Sequence, residues 1–295
     1  MANARALDKR RKSIRNIRKI TRTMELIATA RYKKAMDRAQ AATAYTDQIT
    51  KIVKRLAAAG LDVKHPLLEP RDNPAKARVL VLASNRGLCG GYNGNILRTA
   101  MPRIRELRDT IDDVAVDASG KRGVNGLKFR KTIVDNAYLG FEDQPAYDEV
   151  EKIAEKYLTE YVTGKIDRLD VVYTKFISTS RQIATIETLL PLGSLSDEEA
   201  AASDDDEKSV EFEFLPSAES ILEEVVPTSF KVRLFKCFLD AAVSEQVARM
   251  IAMKGATENA GDMIKQLSMT YNRARQSQIT GEIMEIIGGV EALAK

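Results

Sequence analysis

The sequence predicts an α/β protein in which two very long helices, one at each end of the chain, enclose a domain of alternating strands and helices. Residues 3–59 contain neither proline nor glycine, and their apolar residues recur at helical spacing. Residues 228–295 show the same periodicity. The segment between them changes to short β-branched runs separated by glycine and proline, a pattern typical of strands and turns.

The two terminal segments are predicted to pair as a long antiparallel two-helix coiled coil. The N-terminal helix is expected over residues 1–59 and the C-terminal helix over residues 217–295. At 1.5 Å per residue, a helix of the first length spans roughly 85 Å, far more than a typical globular helix. Isoleucines at spacings of three and four residues predict the contact seam. They are Ile17, Ile20, Ile27, Ile279, Ile283 and Ile286.

The middle of the chain, residues 76–215, is predicted to form a Rossmann-like α/β domain with a mixed sheet. Strands are expected at 78–83, 114–116, 132–134, 169–177, 182–189 and 210–215, and helices at 95–108 and 147–163. Alternation of strands and helices favours parallel pairing, whereas a short turn at 178–181 favours an antiparallel hairpin.

Charge is unevenly distributed along the chain. The net charge is only +4, yet residues 1–38 hold 13 Lys/Arg and 3 Asp/Glu. A surface this basic is suited to an acidic partner, and nucleic acid, anionic lipid and an acidic protein all meet that requirement. Few aromatic residues accompany these cations for base stacking, which weighs against nucleic acid.

Residues 84–94, Ser-Asn-Arg-Gly-Leu-Cys-Gly-Gly-Tyr-Asn-Gly, follow a predicted strand and precede a predicted helix, as phosphate-binding loops do. The segment lacks both the lysine of a P-loop and the G-x-G-x-x-G spacing, so a structural turn is favoured over nucleotide binding. Cys89 is a candidate nucleophile in this loop. A packing thiol is favoured, because the chain's one histidine, His65, lies in a distant segment.

An acidic segment, residues 196–209, holds seven Asp/Glu and one Lys. It lacks the ligand spacing and central glycine of an EF-hand, so a solvated loop is favoured over a calcium site. Two cysteines and one histidine supply too few ligands for an ordinary zinc site. We therefore expect no catalytic constellation, cofactor or metal site in this chain.

Three separated segments resemble the γ subunits of F-type ATP synthases. They are the helical segment 11–31, the loop 84–93, and the C-terminal run that comprises 244–261, 271–276, 279–283 and 287–289. The resemblance covers both terminal helices and the first part of the middle domain.

The resemblance implies a non-catalytic, rotating central stalk that transmits torque between the membrane c-ring and the catalytic α/β ring. Its implied partners are the α, β and ε subunits and the c-ring, with one copy per complex, no cofactor, and catalytic sites on β. The implied location is the cytoplasmic face of a bacterial cell membrane, reached only through the c-ring.

Matching motif positions imply individual contacts with the α/β ring, at Met24, Arg249, Arg275, Gln276, Thr280 and Glu282. Gly281 departs from the glutamine more usual in the family. Two other functions remain as alternatives: a basic coiled coil that binds nucleic acid, and a nucleotide-dependent enzyme that uses the glycines of residues 87–94.

Overall fold

The structure is a computed structural model that describes residues 4–58, 66–68, 71, 74–141, 144–192 and 218–293. His65, the acidic segment 196–209 and the predicted strand 210–215 lie outside these residues. The described elements, in chain order, are α1 (Ala4–Ala58), β1 (Lys76–Leu82), α2 (Tyr92–Thr110), β2 (Asp113–Ser119), α3 (Lys121–Phe129), β3 (Asn136–Tyr138), α4 (Tyr147–Val162), β4 (Arg168–Ser178), β5 (Arg181–Leu190) and α5 (Ala218–Leu293).

The described strands form one mixed sheet in the order β3-β2-β1-β4-β5. β1 lies parallel to both β2 and β4, and β2 lies parallel to β3. β5 returns antiparallel to β4 through a tight turn, in which Ser178 is opposite Arg181. The predicted α/β class and mixed sheet are therefore confirmed.

Both faces of the sheet are covered, which explains why β1 is a continuous apolar run. Val79 and Val81 pack with residues of α2 and α3, whereas Leu80 and Leu82 pack with residues of α4 and α5. Successive side chains of a strand point to opposite faces, so each face of β1 contributes to a separate core.

The strand predicted at residues 132–134 is wrong, because β3 begins at Asn136. Hydrogen bonds to two carboxylates determine where β3 begins. The Asp135 side chain accepts a 2.8 Å bond from the Val116 amide, and the Asn136 amide donates to Asp117 at 3.1 Å. Regular parallel pairing with β2 begins at Asn136, which lies opposite Asp117.

Helix α3 was not predicted, since its glycines disfavour a helix in isolation. The structure shows what one of them does. A Cβ added at Gly126 would lie 2.3 Å from Leu97 Cδ1 of α2, so a larger residue there would force the buried Leu97 side chain to shift.

The chain divides into two compact units. The sheet unit, Ala30–Ala248, contains the sheet and the helical segments packed on it. The helix-pair unit contains Met1–Thr29 and Arg249–Lys295. Among the described residues, no helix is both long and apolar enough to cross a membrane.

Candidate functional site

In the helix-pair unit, the contact positions of each helix recur every seven residues. On α1 they include the half-buried Leu7 and Ile14 and the buried Thr21 and Ala28. On α5 they include the residues Met253, Thr257, Ala260, Ile264, Leu267, Tyr271 and Ala274. A seven-residue repeat is the pattern of a coiled-coil seam.

Three contacts across this seam establish the antiparallel direction. The Arg11 guanidinium lies 4.7 Å from the centre of the Tyr271 ring. Arg18 lies over Gly261, with its Nε atom 3.8 Å from where a Cβ would sit. Thr21 meets Thr257 through their hydroxyls at 2.9 Å. Because the partner number falls as the α1 number rises, the predicted antiparallel pairing is confirmed.

The six isoleucines expected along the seam lie at the surface of the described chain. Ile17, Ile20 and Ile27 are 47%, 59% and 47% exposed. A mixture of apolar, small and polar residues, from Leu7 to Ala28 on α1, occupies the contact line instead, and the isoleucines form an apolar stripe beside it. This chain therefore does not bury those positions by itself.

The last part of α5 extends past its partner. Residues 275–290 are all exposed, including Ile279, Ile283 and Ile286. The register set by Thr21 and Thr257 places the described start of α1 near the level of residue 274, so α5 continues as a bare helix. At Gly281 nothing lies within 4 Å of where a Cβ would be. Arg275, Gln276, Thr280 and Glu282, the predicted ring contacts, all lie on this bare segment.

The other two predicted contacts differ in exposure. Met24 is half-buried on α1, within the stripe between Ile20 and Ile27. Arg249 is only 6% exposed and interacts within the chain. Any partner therefore reaches Met24 more readily than Arg249.

The helix-pair unit has a basic surface. Asp8 is bound by Arg11 at 2.6 Å and Lys12 at 2.9 Å, and these hydrogen bonds, from Lys12 first, hold the pKa of Asp8 below its ordinary value. Glu25 is bound by Arg22 at 2.7 Å. The exposed cations of α1 that remain, among them Arg10, Arg15 and Lys19, give this surface its positive charge.

In the sheet unit, the glycine-rich loop after β1 is held by its own side chains. The Ser84 amide donates to Asn93 Oδ1 at 3.0 Å, and Asn93 Nδ2 donates to Ser84 Oγ at 2.8 Å. Asn93 Nδ2 also contacts the Cys89 sulfur at 3.1 Å, and Cys89 is 2% exposed. This is the geometry of a structural turn with a packing thiol.

The same loop is bound to neighbouring elements. Asn85 accepts a 3.0 Å bond from the Lys121 amide at the start of α3 and donates to the Phe141 carbonyl. The Tyr92 hydroxyl donates to the Ala241 carbonyl of α5 at 3.1 Å. These polar groups join parts of the protein to each other and are not directed at a ligand.

The carboxyl ends of the parallel strands, where α/β sheets usually bind ligands, are closed by α5. The cavity there is about 40 Å³ and is lined by Leu82, Tyr92, Phe141, Phe238 and Ala241, among other residues. Small-molecule sites are typically several hundred Å³, so this space holds a few waters and no nucleotide.

A larger depression of about 400 Å³ lies at the opposite end of the sheet, and its two arginines are already paired. Asp170, which is fully buried, accepts bonds from Arg103 at 2.7 Å and from Arg168 at 2.9 Å. Their charges are therefore already engaged by a carboxylate. Within the described part of the chain, no cluster of His, Cys, Asp and Glu suits a metal ion.

A second buried carboxylate is also saturated. Asp117 accepts bonds from the Tyr157 hydroxyl at 2.8 Å, from Asn136 and from Arg78 at 3.3 Å. Burial, together with this carboxylate, raises the pKa of Tyr157 well above its ordinary value. The network pins β3 and α4 to β2.

Sequence reasoning missed the polar pair Thr21–Thr257. The sequence feature that could have predicted it is the seven-residue spacing of Leu7, Ile14, Thr21 and Ala28. The more hydrophobic isoleucine stripe obscured this spacing. Exposed and buried stripes have the same helical period, so periodicity alone does not distinguish them.

Comparison with known proteins places the chain in a family. The family model described as ATP synthase matches residues 3–293. The ATP synthase gamma chain of Rhodopirellula baltica is 83% identical over 294 residues, covering 99% of each chain. The ATP synthase gamma chain of Leptospira biflexa is 37% identical over the full length of both.

Solved structures show the same fold. A chain of the Euglena gracilis mitochondrial ATP synthase matches with a TM-score of 0.67 at 20% identity, covering 98% of this chain and 94% of that one. A chain from the central stalk and c-ring of the Tetrahymena thermophila mitochondrial enzyme matches with a TM-score of 0.59 at 18% identity, covering 80% and 99%. From the family model and the two gamma-chain relatives, which match the chain over nearly its full length, this chain belongs to the gamma-chain family of F-type ATP synthases.

Proposed function

We propose that the chain is the rotating central stalk of a proton-translocating F-type ATP synthase. It carries torque between the membrane c-ring and the catalytic ring of α and β subunits. The observation that carries this proposal is the bare end of α5. There the helix extends beyond the described start of α1, and both its apolar and its polar side chains are exposed.

An exposed apolar helix end is costly in water unless another surface covers it. Ile283, Ile286 and Val290 are 50%, 67% and 63% exposed, which suits an apolar collar formed by the α/β ring. Apolar contacts are non-directional, so such a bearing opposes rotation little. We assign the polar ring contacts of this segment to Arg275, Gln276, Thr280 and Glu282.

Farther along the helix pair, a second set of contacts with the α/β ring is made by the basic surface and by the Ile17–Ile27 stripe. Acidic loops on β subunits complement the exposed cations of α1 in charge. Met24 would lie at this level. Arg249 reaches a partner only through the small part of its surface that stays exposed.

The asymmetry of the helix pair supplies the mechanism. One rod cannot present the same face to three equivalent subunits, so each subunit meets different side chains and its open and closed states are biased differently. Moving one site from 1:99 to 99:1 requires about 5.5 kcal/mol of differential contact. Several apolar and charged contacts together reach that magnitude.

The chain itself acts without catalysis in this proposal. The space at the carboxyl ends of its strands is too small for a nucleotide, and the loop after β1 uses its polar groups internally. Catalysis is assigned to the ring, no cofactor is assigned to this chain, and the ε subunit is assigned as a further partner. The chain is placed peripherally at the cytoplasmic face of the cell membrane through the c-ring.

The test is assembly with α and β subunits. We expect the purified chain to show no ATPase activity or saturable nucleotide binding alone, and to co-purify with α and β as a complex that hydrolyses ATP. Rotation of a bead attached to the sheet unit should accompany hydrolysis. Nucleotide turnover by the isolated chain, or salt-sensitive binding to generic DNA without ring assembly, would contradict the proposal.

A matched pair of variants localises the contact. Ile283→Ser with Ile286→Ser should weaken rotation under load, because it removes apolar contact at the bare end. Phe129→Ser changes a side chain that is 87% exposed in the sheet unit, and it should leave rotation unchanged. Equal effects of the two would contradict the assignment of the bearing to α5.

A further inference from the structure

Next to Thr21 and Thr257, the seam of the helix-pair unit is lined by small or flexible side chains, whereas larger residues such as Leu267 and Tyr271 lie farther along it. Ala28 is fully buried, and Ala260 and Met253 are each 5% exposed. Such residues let two helices approach closely, but they interlock weakly along the axis, because alanine has a small side chain. At this level of the seam, resistance to sliding must therefore come from other contacts.

The contact between Thr21 and Thr257 is of a different kind. Thr21 is 8% exposed, and the two hydroxyl oxygens lie 2.9 Å apart. The Thr21 oxygen also lies 3.1 Å from the Arg18 carbonyl, and the Thr257 oxygen lies 2.8 Å from the Met253 carbonyl.

Each hydroxyl has one hydrogen to donate, so two hydrogens are shared among three close oxygen contacts. The contact across the seam, at 2.9 Å, therefore competes for these hydrogens with the Arg18 and Met253 carbonyls. It links α5 to α1 whichever hydroxyl donates.

We propose that the Thr21–Thr257 pair is the axial stop of the helix pair: it opposes sliding of α1 along α5 when torque is applied. Uneven load on the two helices, or bending of the pair, tends to slide one helix along the other. A slide of one residue displaces one hydroxyl by about 1.5 Å along the axis and weakens the bond, and a slide of one turn, about 5.4 Å, breaks it. A slide of seven residues would bring Thr21 to the level of Met250 or Ile264, which offer no hydroxyl.

The neighbouring contacts fit this role without duplicating it. Arg18, whose carbonyl is close to the Thr21 hydroxyl, lies over Gly261, and Arg11 lies over Tyr271. Both are long, exposed or partly exposed side chains that can follow a shift. The threonine hydroxyls are short and partly or fully enclosed, so they tolerate less movement.

The test compares the double variant Thr21→Val/Thr257→Val with Thr21→Ser/Thr257→Ser. Valine keeps the approximate shape and removes both hydroxyls, whereas serine keeps the hydroxyls. Spin labels at the exposed positions Lys19 and Glu258 report the distance between the helices in the full-length chain. We expect the valine pair to raise the population of shifted distances about fivefold, the factor that corresponds to one net hydrogen bond, and the serine pair to restore a single distance.

The consequence under load rests on the proposed function and is measured separately. In the reconstituted complex, the valine pair should increase the torsional compliance of the rotor and lower ATP synthesis more than unloaded ATP hydrolysis. A merely structural defect would lower both in proportion to the amount of complex. A single unshifted distance in the valine pair would overturn the axial stop, whatever the complex does. Shifted distances in a chain that fails to join α and β would instead contradict the stalk function alone.

Discussion

The Tyr92 hydroxyl donates a 3.1 Å hydrogen bond to the Ala241 carbonyl, across 149 residues of sequence. Tyr92 begins α2 directly after the glycine-rich loop, and Ala241 lies in the part of α5 that covers the sheet. The loop that resembles a phosphate site by its position thus binds the protein's own long helix. Four experiments follow from this and related contacts.

Tyr92→Phe should lower the free energy of unfolding by about 1 kcal/mol, because it removes one buried hydrogen bond and keeps the ring in its core. Urea denaturation measures the stability, and hydrogen exchange of residues 236–248 measures the local effect. Unchanged exchange in that segment would show that the bond does not hold α5 on the sheet.

Gly120→Ala should destabilise the sheet unit by about 3 kcal/mol or more. Gly120 has a φ of +89°, and a Cβ there would lie 2.1 Å from the Ala83 carbonyl oxygen. The control is Gly94→Ala in α2, where nothing lies within 4 Å of the added carbon. The control should be neutral or stabilising by up to about 1 kcal/mol through helix propensity. Thermal unfolding distinguishes the two, and similar melting temperatures would contradict the prediction.

Asp240→Asn should stabilise the protein at neutral pH. Burial raises the pKa of Asp240 to about 6, and the opposing effects of Lys236 and Lys175 do not offset it. Because the folded pKa exceeds the unfolded value, the folded state favours the protonated acid. The associated stability is fully present below pH 3.8 and is lost as the pH rises to about 6.

The asparagine variant removes this penalty, which is at most about 3 kcal/mol at pH 7.5. Urea denaturation from pH 4 to 7.5 should show the difference between variant and parent growing with pH. Asp262→Asn, at a largely exposed position of α5, serves as the control and should show no such trend. A constant difference across the range would exclude Asp240 as the titrating group.

Met24→Lys should impair energy coupling more than assembly in the reconstituted complex. It places a cation in the apolar stripe between Ile20 and Ile27, where the proposed partner is acidic, and each new ion pair must break as the rotor turns. Proton pumping per ATP hydrolysed should fall while the yield of complex stays the same. Unchanged pumping per ATP would place Met24 away from the acidic loops.

Much of the architecture is readable from local sequence. The runs around Val79 and Val171 became β1 and β4, and the turn after Ser178 became the hairpin. These features depend on short-range periodicity and turn chemistry. Helix α3 and the start of β3 were missed because they depend on contacts with Leu97 and Asp117, which are distant in sequence.

By itself, the sequence determined the long terminal helices, the α/β class, the basic N-terminal segment and the family, because these follow from composition, period and motif order. Only the tertiary structure decided which stripe of α1 meets α5, since Ile17 and Ile20 have the same helical spacing as Thr21 and Ala28 and burial depends on the partner helix. It also decided that the glycine-rich loop serves packing, because its polar atoms bond to one another, as in the Ser84–Asn93 pair, and to groups of α3, α5 and the segment after β3.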